Sequence, residues 1–153
     1  MLDRIDRKLL ESLQRDATLS VAELAARVGL STTPCWKRVK RLEDEGYILG
    51  RVALVDRAKI GLKVTIFVSI RTNEHDPDWL ENFARVAASF PEIVELYRMS
   101  GDVDYLMKVV TQDVEGYDRF YKKLIKAVRL TDVSSAFAME QIKYSTELPL
   151  EEP

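Results

Sequence analysis

Ser20-Val-Ala-Glu-Leu-Ala-Ala-Arg-Val-Gly29, followed by Leu30-Ser-Thr-Thr-Pro-Cys-Trp-Lys-Arg-Val-Lys-Arg-Leu-Glu-Asp-Glu45, decides how this chain is read. Ser20 and Glu23 stand at capping-box spacing: the serine oxygen takes the backbone N–H near Glu23, and the glutamate returns to the serine N–H. Val21, Leu24, Ala25 and Val28 then share one helical face. Gly29 stops that helix, because a left-handed residue is easiest there. Thr33 as N-cap and Pro34 at the first helical position start the next helix, which runs to Gly46. Ala25 is small where the two helices cross, and Leu30 plugs the turn. Such a pair is a helix-turn-helix: it turns its second helix outward so that the N-terminal half can enter a major groove.

The second helix of the pair segregates its charge. At about 100° per residue, Cys35, Leu42 and Gly46 fall beside Val39 on the inner stripe. Thr33, Lys37, Lys40, Arg41 and Asp44 fall opposite, with Trp36 and Arg38 on the flanks. Ser31 to Leu42 contains Lys37, Arg38, Lys40 and Arg41 and no acid. Residues 1–60 hold 12 Lys/Arg against 9 Asp/Glu, whereas residues 61–153 hold 11 against 16. The net charge of −2 therefore hides a basic island on an acidic chain, the pattern of a polyanion met by one element. The expected contacts with double-stranded DNA are Thr33, Trp36, Lys37, Arg38, Lys40 and Arg41.

Upstream, Asp3 caps a helix with Asp6 three residues on, and Ile5, Leu9, Leu10 and Leu13 recur at helical spacing. Downstream the period changes. Tyr47 to Val55 is strand-like, and Asp56-Arg-Ala-Lys-Ile-Gly61 is the expected boundary between a first domain over 1–61 and a second over 62–153. Val64 to Arg71 is rich in β-branched residues, and Asn73-Glu-His-Asp-Pro77 reads as a loop. A helix follows from Pro77 to Phe90, with Trp79, Leu80, Phe83, Val86 and Ala87 at helical spacing. Strands over Ile93–Met99 and Val103–Thr111 flank Ser100-Gly-Asp102. Asp113 caps a helix through about Val128, and Val133 to Tyr144 reads as the last strand, with a polar tail from Glu147 expected to fray. The order β-α-β-β-α-β is the split βαβ, or ferredoxin-like, arrangement. The fold class is thus α+β: a helix-turn-helix followed by a ferredoxin-like domain. Helices cover one face of that sheet. The other is expected to carry some of Phe67, Tyr105, Met107, Val109, Phe137 and Met139, which a second copy would bury in a homodimer.

Composition excludes much else. Of 153 residues, 46% are hydrophobic and 31% charged, the balance of a globular chain. The longest uncharged apolar stretch, Val64 to Ile70, falls far short of the ~20 residues that span a bilayer. The N-terminus carries no signal-peptide apolar region. One cysteine and one histidine leave no internal disulfide, no zinc site and little histidine chemistry. Cys35 reads as a packed core residue; His75, among acids in a loop, lacks a second soft ligand. Trp79 and Tyr97 read as core or interface residues, and the acids from Glu74 to Glu81 as a solvated face. With no nucleophile–base pair or phosphate loop, the expectation is a cytoplasmic, non-enzymatic protein without metal or cofactor and without a membrane partner.

Leu2-Asp-Arg-Ile-Asp-Arg-Lys-Leu-Leu10, Ser20 to Ser31, Pro34 to Glu43, Gly46-Tyr-Ile48, Ser100-Gly-Asp-Val-Asp-Tyr-Leu106 and Ala138-Met-Glu-Gln-Ile-Lys143 together resemble the Lrp/AsnC family of transcriptional regulators. The resemblance covers nearly the whole chain. Thr32 to Arg38 and Ser135 to Lys143 are most similar to its cysteine-responsive subgroup. It implies a winged helix-turn-helix, a linking strand, an amino-acid-binding regulatory domain, and homodimers that assemble to octamers or larger. It further implies a small amino-acid effector, with cysteine as the leading candidate, held between dimers. Carried over by residue, the effector site is Met99, Gly101, Asp102 and Asp104 with Ser134 and Ser135. Asp102 or Asp104 would take the ammonium group, and backbone N–H groups near Gly101 the carboxylate. The family's frequent glycine before the last strand is missing from Ala127-Val-Arg-Leu-Thr-Asp-Val133, a departure at the pocket rim. The competing reading is an effector-independent architectural protein that wraps DNA.

Overall fold

The structure, a computed structural model, describes residues 1–72 and 76–150. It holds two compact units: Met1–Leu54 joined by the tail from Ile142, and Val55–Gln141. Asn73, Glu74 and His75 of the expected loop lie outside the described residues, as does the tail beyond Leu150.

The first unit is three helices, α1 (Arg4–Arg15), α2 (Val21–Val28) and α3 (Thr32–Asp44). The expected capping box of Ser20 with Glu23 forms, and the expected cap at Asp3 proves to be a second box, with the Asp6 side chain returning to the Asp3 N–H. Gly29 ends α2 in the left-handed region at φ 71°, and its neighbour Leu30 donates its N–H back to the Ala25 carbonyl at 2.9 Å. Leu9, Leu10 and Leu13 of α1, Leu24 and Ala25 of α2, and Cys35, Val39 and Leu42 of α3 close one core. Cys35 is a fully buried member of it, and burial pushes its thiol pKa up.

Three expectations for this unit are corrected. Ser31, not Thr33, is the N-cap of α3, so Pro34 sits one turn in, where its missing N–H still has no helical acceptor to satisfy. Tyr47 to Val55 is not a strand. Among the described residues no strand pairs with it, and Leu49 and Val52 stand 98% and 80% exposed. The tail does not fray at Glu147. Its carboxylate meets Arg15 at 2.5 Å, the Leu148 N–H donates to Gln14 Oε1 at 2.6 Å, and Gln14 Nε2 donates back to the Leu148 carbonyl at 3.1 Å. The Gln14 side-chain amide thus pairs with the tail backbone as a strand neighbour would.

In the second unit β1 (Val64–Arg71), β2 (Ile93–Arg98), β3 (Tyr105–Thr111) and β4 (Asp132–Phe137) form one antiparallel sheet in the order β2-β3-β1-β4. Helices α4 (Pro77–Ala88) and α5 (Val114–Ala127) cover one face. Phe83 and Val86 of α4 and Tyr117, Phe120 and Leu124 of α5 pack on Ile66, Val68, Ile70, Tyr105, Met107 and Val109. Phe83 stacks on Trp79 at 5.1 Å and meets Tyr105 at 4.9 Å. Trp79 is therefore a core residue.

The register settles the faces. Ile66 pairs with Val109, Val68 with Met107 and Ile70 with Tyr105, and directly paired residues share a face. Tyr105, Met107, Val109 and, by its pairing with Ile66, Phe137 therefore face the helices, correcting the expectation that they could line the open side. Phe137 packs edge-on against Tyr117 at 5.4 Å. Of the six residues named, Phe67 alone is on the open face within a strand; Met139 lies past β4, which ends at Phe137 rather than Tyr144. The open face is mixed: Phe67 (40% exposed), Leu106, Val110 and Tyr97 beside a Lys108–Glu95 ion pair of 2.7 Å.

Within the first unit, Asp3 and Asp6 link the cap of α1 to α3. The backbone N–H of Asp6 and then Arg38 pull the Asp3 carboxyl down from 3.8 to about 2. Burial pushes Asp6 the other way, but the N–H of Asp3, Arg41 and Arg38 outweigh it and hold Asp6 below its ordinary value. Depressed carboxyls stabilise the folded form at pH values above their unfolded pKa and lose that contribution as pH falls through the folded one. Stability of the helical unit, followed by thermal melts in a pH series, is therefore expected to be level above about pH 4 and to drop toward pH 2, and Asp3→Asn is expected to flatten that drop.

Candidate nucleic-acid interface and effector pocket

The first half of α3 projects a small polar and aromatic face. Thr32, Thr33, Pro34, Trp36 and Lys37 are all exposed, Trp36 to 53%. Ser31 makes no side-chain cap, and no acid stands in the first turn. The positive end of the helix dipole is left uncompensated, which is the environment a phosphate favours. Lys40, one turn further on, is exposed and bonded to Asp44 at 2.8 Å, which raises its pKa.

Arg38 and Arg41 are placed differently from the other four expected contacts. Arg38 Nη1 donates to Asp3 at 2.5 Å and to Asp6 at 2.8 Å; Arg41 Nη2 donates to Asp6 at 2.5 Å. Both guanidinium groups thus bend back toward α1, although Arg41 leaves the helix on the outer side. Helical angle gives the direction of a Cβ; a four-atom stem lets the charge end elsewhere. Sequence reading took Asp3 and Asp6 as capping residues only, and passed over Thr32. The signal for the ion pairs was present as two acids spaced by one turn in α1 and two arginines spaced by one turn in α3.

In the second unit, Ser69, Arg71, Val103, Asp132 and Ser134 line a cavity of about 190 Å³ at one end of the open sheet face. It is built by pairing: Ser69 stands opposite Ser134, and Arg71 opposite Asp132. The Arg71 guanidinium lies 3.4 Å from the Asp132 carboxylate and donates through Nε to the Asp102 carbonyl at 2.7 Å. Of the expected effector residues, Ser134 lines this cavity and Asp102 reaches it through its backbone. Gly101 holds the adjoining turn at φ 118°, a conformation other residues rarely adopt. Met99 closes that turn by donating its N–H to the Asp104 carbonyl at 2.8 Å. The Asp104 carboxylate accepts the Thr72 N–H at 2.7 Å, which ties down the end of β1. Ser135 lies on the opposite face, hydrogen-bonded to the Tyr117 hydroxyl. Ser69, Arg71, Val103 and Asp132 were missed; their alternation along β1 and β4 was the available signal.

Two family models match this chain: the winged helix-turn-helix DNA-binding model over residues 2–48, and the Lrp/AsnC ligand-binding domain over residues 65–148. The chain belongs to the Lrp/AsnC family. It is 55% identical over 152 residues to the DNA-binding transcriptional activator DecR of Escherichia coli K12, covering 99% of this chain and all of that one. A crystal structure of an AsnC family transcriptional regulator from Agrobacterium tumefaciens superposes with a TM-score of 0.94 at 60% identity, covering 97% of both chains. A transcriptional regulator from Neisseria meningitidis, solved as a complex with L-Met, superposes at 0.92 with 31% identity and 97% coverage of each. The chain is accordingly a DNA-binding transcriptional regulator with a ligand-binding domain, not an enzyme. None of its described helices is long and apolar enough to cross a membrane.

Proposed function

We propose that this regulator acts in the cytoplasm, reading duplex DNA with the N-terminal half of α3 and answering to a small amino acid bound at the Arg71–Asp132 end of the sheet. The DNA face consists of Thr32, Thr33, Trp36 and Lys37, with Lys40 at its margin. The exposed, acid-free first turn of α3 supports it.

The pairing of Arg71 with Asp132 beside two serine hydroxyls carries the effector reading. An amino acid is a zwitterion, so its site needs a cation and an anion a few ångströms apart. Arg71 offers a planar fork for the carboxylate, Asp132 an acceptor for the ammonium, and Ser69 and Ser134 supply further hydrogen bonds. The pair is more than half exposed at each end and loosely closed at 3.4 Å, so a ligand can open it at small cost. Met99, Gly101, Asp102 and Asp104 shape the turn beside it. Resemblance to the cysteine-responsive subgroup makes cysteine the leading candidate, and the L-Met complex of the Neisseria relative supports the amino-acid class.

The assembly we propose is a homodimer that builds to octamers or larger. Phe67, Leu106 and Tyr97 on the open face, and the exposed apolar row Leu49, Val52, Leu54 and Val55, are the surfaces a second copy would cover. Sedimentation is expected to show no folded monomer at micromolar concentration; a stable monomer would refute this assembly. On the DNA side, Lys37→Ala is expected to weaken specific binding by about 1–3 kcal/mol if the lysine meets a base edge. If it meets phosphate, the log–log salt slope is expected to shrink by about one unit instead. On the ligand side, calorimetry with cysteine and other small amino acids is expected to show binding to the wild type and its loss in Arg71→Gln, with operator affinity of the ligand-free protein unchanged. Binding that survives Arg71→Gln removes the assigned site, and a wild type that binds no amino acid leaves the DNA-wrapping architectural reading.

A further inference from the structure

We propose that Asp6 is a positioning residue that sets DNA specificity, by holding Arg38 and Arg41 of the recognition helix against α1 and so withdrawing two guanidinium charges from the phosphate backbone. The inference rests on α3 being the DNA face.

The geometry is a built one. Asp6 has no exposed surface, yet it is ionised, because each oxygen is met by a donor: Oδ1 by Arg38 at 2.8 Å, Oδ2 by Arg41 at 2.5 Å and by the Asp3 N–H at 3.1 Å. Asp3 adds a second carboxylate on Arg38 at 2.5 Å. Two acids of α1 thus neutralise two of the four cations that α3 carries between Lys37 and Arg41. The arginines are not sealed in. Their side chains keep 30% and 42% of their surface, and the Arg41 Nε is buried without an acceptor, so that guanidinium is held from one end only. Released from Asp6, either group is close enough to solvent to swing toward a duplex lying on α3.

Withdrawal has a purpose in recognition. Contacts to phosphate bind every sequence alike, whereas base-edge contacts separate one sequence from another. A helix with four free cations in five positions would gain affinity for all DNA. Tethering Arg38 and Arg41 leaves Trp36, Lys37 and the threonines to carry proportionally more of the interaction. A network that served packing alone would change the melting temperature when broken, but not the number of ions released on DNA binding.

The test is the salt dependence of binding to operator and to random duplex, measured for wild type, Asp6→Asn and the triple variant Asp6→Asn, Arg38→Gln, Arg41→Gln, each checked for folding by circular dichroism. Asp6→Asn is expected to steepen the log–log slope by about one unit, from Arg41, while Asp3 still holds Arg38, so that the loss of affinity between about 50 and 200 mM salt grows about three- to fourfold. Its random-duplex binding at low salt should tighten more than its operator binding. The triple variant should return to the wild-type slope. A folded Asp6→Asn protein with an unchanged slope overturns the proposal, because the freed arginines then reach no phosphate. A triple variant with a slope shallower than wild type also overturns it, because the arginines then already contact DNA; this second comparison decides the matter even if Asp6→Asn does not fold. Lys37→Ala in the same titrations reports separately on whether α3 is the DNA face at all.

Discussion

One carboxylate without access to water constrains the helical unit more than any other group. Burying an ionised aspartate is unfavourable unless its oxygens are met by donors, and Asp6 meets that condition with two guanidinium groups and a backbone N–H. The donors come from residues 38 and 41 on α3, so the crossing of α3 over α1 is fixed by charge as well as by Leu9, Val39 and Leu42 in the core below. Hydrophobic contact between two helices tolerates sliding more readily than a carboxylate held by one nitrogen from each of two guanidinium groups does. If Asp6 is removed without its arginines, two charges lose their partner. If all three become neutral, only packing remains.

The second unit is governed by a different constraint, the pleat. With β1 central between β3 and β4, its even positions enter the core and its odd positions face outward. That parity puts Ser69 and Arg71 on the open side, opposite Ser134 and Asp132. A one-residue slip of β4 would send both acceptor groups to the helix side. The edge-on contact of Phe137 with Tyr117 opposes that slip, since Phe137 would have to leave the helices. Core packing on one face therefore maintains polar alignment on the other.

These constraints explain what the chain revealed before its structure was known. Caps and glycines act over three or four residues, so the Asp3 cap, the Ser20–Glu23 box and the Gly29 stop could be read directly. The alternation of β1 and the order of elements were equally local. Failures came where the deciding partner lies far along the chain. Arg38 and Arg41 were separated from their acids by more than thirty residues, and their long stems freed the charge from the helix angle. The faces of β3 and β4 depended on register with β1, which alternation within each strand does not specify. The Tyr47–Val55 stretch has strand composition but no neighbour to pair with, whereas Glu147 and Leu148 look like a frayed end and are held by Arg15 and Gln14. Thr33 was read as the cap because Pro34 was placed at the first helical position, whereas proline is tolerated throughout the first turn and the cap is Ser31.

An effector at the sheet end and a duplex at α3 can influence each other only through a difference between arrangements. On the proposed reading, a ligand closing on Arg71 and Asp132 would replace an exposed, weak ion pair with two charge-assisted bonds, and that local gain would by itself favour no one assembly over another. It changes DNA affinity only if the cavity itself differs between a DNA-competent assembly and another, by a coupling that is typically 1–3 kcal/mol. In the proposed assembly, the open position of the cavity would supply such a difference. Its lining residues stand on the face that carries Phe67 and Leu106, the face a second copy would cover, so any change in how copies meet alters the cavity's outer wall. Linkage then requires the reverse effect: an operator that favours one assembly must change amino-acid affinity by the same factor. The coupling would reside in the packing of copies, without any direct path between Asp132 and Lys37 inside one chain.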